Sequence, residues 1–122
     1  MIGKLIVYHA RASLGEPPEI REMAGAPLPF MLNVLQALVE DDIEQVPLFD
    51  SITIGGKREP CVALCGEHGK DKGLPVNRRA TLIWRYCIRE HASNPLAALA
   101  AQDVLVGTVV VLTGDREFME SL

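Results

Sequence analysis

The residues best placed to do chemistry follow a polar loop in the second half of the chain. Asn77 precedes Arg78 and Arg79, and Ala80, Ile83, Trp84, Cys87 and Ile88 then recur on one face, which predicts a helix capped by Asn77 and running to about His91. Two arginines in a first helical turn oppose the helix dipole, which favours acidic side chains there. An anion resolves the conflict if the free N–H groups of that turn and a guanidinium fork hold it together. Arg85 and Arg89 continue a polar stripe with Arg78 and Thr81 at seven-, three- and four-residue steps, so Asn77, Arg78, Arg79 and Arg85 are the expected ligand-binding residues. A solvated face whose arginines pair with the acidic segment around Asp41 and Asp42 is the other reading.

Other combinations carry less. Cys87 and His91 are four residues apart on the expected helix, and Cys65 and His68 bracket a strand-to-turn junction, so four ligands for a metal can be counted. Neither pair has a zinc-finger spacing, Cys61 and Cys65 would stand about 13 Å apart along a strand, and Cys87 falls on the apolar stripe, so core packing is expected and no metal or cofactor. No cysteine has an oxyanion or triad signature around it, and an enzyme would need Glu67 or His68 as acid or base beside the arginines. Gly55-Gly56-Lys57 and the glycines from Gly66 to Gly73 lack the spacing of a phosphate loop. The run from Glu40 to Glu44 lacks the glycine of a calcium loop.

The elements that must position these residues are legible in outline. Gly3 to Ala10 reads as a strand, Gly15 to Pro18 as a loop, and Glu19 to Met23 as a short edge strand. Leu28, Met31, Leu32, Leu35, Leu38 and Val39 repeat at helical steps from Pro27, and the carboxylates of Glu40, Asp41 and Asp42 favour termination at the negative end of the dipole. Ile43 to Ile54 suggests extended chain turned at Gly55-Gly56 into a hairpin with Cys61 to Cys65. Gly66 to Gly73 must be a surface loop. Ser93-Asn94-Pro95 starts a short turn or helix to Gln102, Val104 to Leu112 is a buried central strand, and Phe118, Met119 and Leu122 form a tail able to pack back.

These elements fit a chain of 122 residues, 48% hydrophobic and 23% charged, which is one globular domain with about 65% of its unfolded surface buried. The expected fold is α+β: a mixed or antiparallel sheet packed on one face by two amphipathic helices, the other face being left for a second subunit. Twelve basic and 16 acidic residues give a net charge of −4, which disfavours extended nucleic-acid binding and is too small for a DNA mimic. The longest apolar run has about half the length of a membrane span. Three cysteines without a secretory signal suggest a reduced, cytoplasmic setting.

The order of segments also resembles a known family. Leu35-Gln36-Ala37-Leu38-Val39 with Ile43-Glu44, then Glu67 to Lys70 running through Gly73 to Thr81, then Asp103 to Val109, are similar to the family of small phage, plasmid and bacterial proteins called domain of unknown function 3846. The resemblance covers about residues 3 to 119 and is most specific from Gly73 to Thr81. It implies a mobile-element accessory protein and no particular reaction. The expected function is therefore a non-catalytic accessory protein binding a phosphate-like or nucleotide-like ligand, or an acidic surface, at the start of the second helix. A protein-binding module, for instance a homodimer occupying a host factor, is the alternative, and a small enzyme acting on a nucleotide or phosphorylated substrate comes third.

Overall fold

Apolar residues fill every position of two short runs, Leu5 to Tyr8 and Val109 to Leu112, and strands of that kind must be covered on both faces. The computed structural model, which describes residues 2–11, 15–24 and 28–122, places them side by side. Strands β1 (Ile2–Tyr8) and β7 (Val109–Gly114) pair antiparallel at the centre of a five-stranded sheet of order β2-β1-β7-β6-β3. Its other members are β2 (Glu19–Ala24), β3 (Ile43–Gln45) and β6 (Val62–Gly66), and every neighbouring pair is antiparallel. Both edges are guarded: β2 carries Glu19, Arg21 and Glu22, and β3 is three residues long.

Side chains alternate across these strands, which decides where the helices go. Ile6, Tyr8, Ala63, Val109 and Val111 pack with Ala80, Trp84, Cys87 and Ile88 of α2 (Arg78–Glu90) and with α3 (Pro95–Ala100). Leu5, Val7, Leu64, Val110 and Leu112 pack with Leu35 and Val39 of α1 (Leu28–Val39) and with Phe118 of α4 (Arg116–Glu120). The α+β class and the antiparallel sheet agree with the sequence. The two long helices do not share one face: they take opposite faces, so α1 and α4 cover the side that had been left for a second subunit. Phe118, Met119 and Leu122 pack back as the tail residues should. The expected helix start at Pro27 and the side chains of Leu28 and Met31 lie outside the described residues.

Two strand boundaries differ from the sequence pattern. Gly55 and Gly56 have φ of 57° and 78°, the mirror-image turn that joins adjacent residues tightly. It pairs β4 (Ser51–Ile54) with β5 (Lys57–Pro60), not with Cys61 to Cys65, and β6 goes into the main sheet. The central strand starts at Val109 and not at Val104, because Gly107 adopts φ of 70° and breaks the extended run. A Cβ there would lie 2.8 Å from Leu74 Cδ1. Residues 104–108 instead run beside the start of α2, held by Asn77 and by a bridge between Val76 and Val106.

The end of α1 carries no glycine. Glu40 takes the left-handed conformation, φ 56°, and the Asp41 N–H reaches back to Gln36 O at 3.3 Å. This turn aims the Asp41 carboxylate at the loop after β6, which it organises.

Candidate functional site

Asn77 caps α2 as its position predicts: its Oδ1 accepts from Ala80 N at 3.1 Å. Its amide donates to Tyr8 O and Gly107 O, both at 2.8 Å, and the residue is 1% exposed. Both N–H bonds of this side chain are therefore engaged between β1 and the segment leading to β7. Arg79 turns back across the fold: Nη1 donates to Glu16 O, and the guanidinium lies 5.9 Å from the Tyr8 ring centroid. Arg85 goes elsewhere, donating to Ala101 O at 2.6 Å and to Asp103 O at 3.2 Å, where it serves the electronegative end of α3. Arg78 is exposed on the outer side of α2. The four residues expected to converge on one anion thus point to four different surroundings.

Cys65, His68, Cys87 and His91 do not meet either. Cys87 is in the core, with its Sγ donating to Ser51 O at 3.2 Å, and His91 Nε2 lies 2.8 Å from Asp50 Oδ2. His68 turns to Asp41, whose carboxylate accepts from His68 N at 2.7 Å and from Asp42 N at 2.8 Å and stands 3.0 Å from His68 Nδ1. The hydrogen bond from the His68 ring, with that from its backbone N–H, holds Asp41 down at about 2, and the same ring contact raises His68 above its ordinary value. Lys72 adds an ammonium 3.6 Å from Asp41 Oδ1 and donates to Glu40 O. Asp41, Asp42 and His68 come close enough to hold a cation, yet the Asp41 oxygens already accept from protein donors. All three cysteines are free thiols. Burial pushes Cys61 up to about 12 and Cys65 up to about 11, the latter with help from Glu44, so neither is a thiolate near neutral pH.

What sequence reasoning missed is a cleft of about 440 Å³ on the α2 side of the sheet. One wall is β3 with the 66–71 loop; the other is α3 with residues 103–106. Trp84 stands at the floor, its Nε1 donating to Pro47 O at 2.7 Å, with Val46 and Leu105 beside it. Leu96 and Leu99 on the α3 wall are exposed, the latter at 71%. The loop wall is kept in place by the Asp41 contacts and by Lys70, which bonds Asp103 across the cleft. The only sequence signals for this site were the apolar Leu96 and Leu99 and the polar glycine-rich loop; their adjacency depends on the chain reversal between α2 and α3. Glu67 lines this cleft, whereas Arg79 lines a different one of about 400 Å³ with Tyr8, His9 and Arg11, so the acid or base expected beside the arginines is in another place.

The fold and the cleft together define a small α+β protein with an antiparallel sheet sandwiched between helical layers and an acidic, apolar-floored groove at one sheet edge. The chain belongs to the family described as a domain of unknown function, DUF3846, whose family model matches residues 7–122. No curated protein and no solved structure matches it. Among the described residues no helix is long and apolar enough to cross a membrane.

Proposed function

We propose that this chain is a non-catalytic binding protein whose ligand sits in the cleft between β3, the 66–71 loop and α3. The observation that carries the reading is the coincidence of a 440 Å³ concavity, an apolar floor at Trp84 and Leu105, and exposed leucines on one wall. That volume is in the range of small-molecule sites, and an apolar lining with a few polar groups at the rim is their usual chemistry. The high thiol pKa of Cys65 speaks against a nucleophile at this place, and His68 is not among the residues that line the cleft. A cytoplasmic accessory role in a phage or other mobile element, as the family resemblance implies, suits a chain of this kind. The competing reading, an anion at the first turn of α2, has three of its four groups bonded within the fold.

Thermal shift with a panel of apolar-bodied small molecules, alongside phosphate and nucleotides, separates these readings. A ligand at 100 times its dissociation constant adds about 2.7 kcal/mol, roughly 10 °C for a chain of this length. Leu99→Asp should leave the unliganded melting temperature nearly unchanged, since the side chain is exposed, and abolish that shift. A shift caused by phosphate or nucleotides and lost in Arg78→Ala/Arg79→Ala would move the site to α2. Silence of both arms with a specific protein partner recovered would favour the protein-binding alternative, homodimer or host factor.

A further inference from the structure

The cleft has an electrostatic polarity that narrows what it takes. Glu44 and Cys65 are direct cross-strand partners, so both side chains project from the same face of the sheet, and Cys65 packs against the core on the α2 side. Glu67 and Asp71 join from the loop and Asp103 from the end of α3, so four carboxylates line the cleft with Lys70 as the only lining cation among the described residues. Lys70 spans the groove, its ammonium donating to Asp103 Oδ1, and Asp103 is fixed by accepting from Val104 N at 2.8 Å. Both ends of this ion pair are substantially exposed, so it can open at low cost.

We propose that the ligand is a small molecule bearing a protonated amine on an apolar body, and that the Lys70 ammonium occupies the amine's place on Asp103 until the ligand displaces it. This rests on the reading of the cleft as the binding site and assigns that site a chemical class. The apolar body lies on Val46, Leu105 and Leu99, and the amine meets Asp103 with Glu44 nearby. An anion entering the same groove meets four carboxylates and is rejected. Lys70 compensates Asp103 while the cleft is empty, so the protein carries an internal stand-in for its ligand's head group.

The test is an NMR titration of the intact chain with hexylamine, hexanol and hexanoate, which share a body and differ in the head. Hexylamine is expected to shift the resonances of the cleft residues, hexanol to bind at least about tenfold more weakly, and hexanoate not at all. Lys70→Met should tighten hexylamine up to about fivefold, the factor for a strong exposed ion pair, and Asp103→Asn should weaken it about tenfold. Glu44→Gln, at the exposed edge strand, is a second variant that also weakens hexylamine if Asp103→Asn fails to fold. Equal binding of hexylamine and hexanol, or hexylamine binding unchanged in Lys70→Met and Glu44→Gln, keeps the cleft and overturns the amine. Failure of all three probes overturns the cleft itself. Binding of a lysine-containing peptide in place of hexylamine overturns the small-molecule assignment.

Discussion

Asn77→Ala distinguishes a ligand-binding residue from an internal clamp. The substitution removes the cap of α2, worth about 1 kcal/mol, and leaves the carbonyls of Tyr8 and Gly107 without their amide donor. At the low end of the cost for a stranded buried acceptor, about 1 kcal/mol each, the total is about 3 kcal/mol. The backbone bond from Asn77 N to Leu105 O, at 2.7 Å, survives and limits the loss. An unfolding entropy of about 2.1 cal/mol/K per residue makes this a fall of roughly 12 °C in melting temperature. Urea unfolding followed by circular dichroism, with scanning calorimetry, measures both quantities. Asn77→Ser restores the cap alone and should recover about 1 kcal/mol. Asn77→Asp keeps the cap acceptor but turns a carboxylate oxygen toward two carbonyls, so it should be worse than alanine. The reasoning is refuted if Asn77→Ala costs less than about 1 kcal/mol and abolishes a phosphate or nucleotide response that the native chain shows.

Three further outcomes follow from the geometry. Asp41, held at about 2 when folded against 3.8 ordinarily, contributes stability that is present above pH 3.8 and is lost as pH falls toward 2. His68, raised above 6.5, contributes stability that is complete below pH 6.5 and is lost as pH rises through its folded value. His68→Gln should therefore flatten the alkaline limb of a melting-temperature profile between pH 5 and 9; identical alkaline limbs in both proteins would show that the contact is without effect. Gly114→Ala should cost at least about 1–3 kcal/mol by calorimetry, because its Cβ would stand 2.6 Å from Ile2 O and 2.7 Å from Gly3 Cα and backbone cannot give way as a side chain can. Gly15→Ala, with open space around it, is the neutral control, and equal stability of the two variants would refute the packing argument.

The conflict of two arginines with the dipole of α2 was legible, and so was the need for something negative nearby. Its outcome was not: Arg79 finds the carbonyl of Glu16, a backbone oxygen from a distant element, while Arg78 stays exposed on the outer side of α2 and Arg85, beyond the first turn, finds the carbonyls ending α3. The cap at Asn77, the extent of α2, the surface loop after Gly66 and the returning tail were all local patterns, and each formed where its residues indicated. The wrong hairpin partner for Ser51 to Ile54 shows the limit of such patterns. A two-residue turn selects the immediately following residues, whatever their hydrophobicity, and Lys57, Arg58 and Glu59 are charged.

By itself the sequence determined the class of the fold, since period-two and period-3.6 patterns, caps and turn glycines are properties of short windows. Only the tertiary structure decided which face each helix covers and where the cleft lies. The reason is that alternation along β1 and β7 makes both faces of the sheet equally apolar, so no local signal assigns a helix to either one. The cleft is likewise a relation between β3, a loop and α3, separated by some 50 residues of chain, and comes into being only when the sheet closes and α3 folds back on α2.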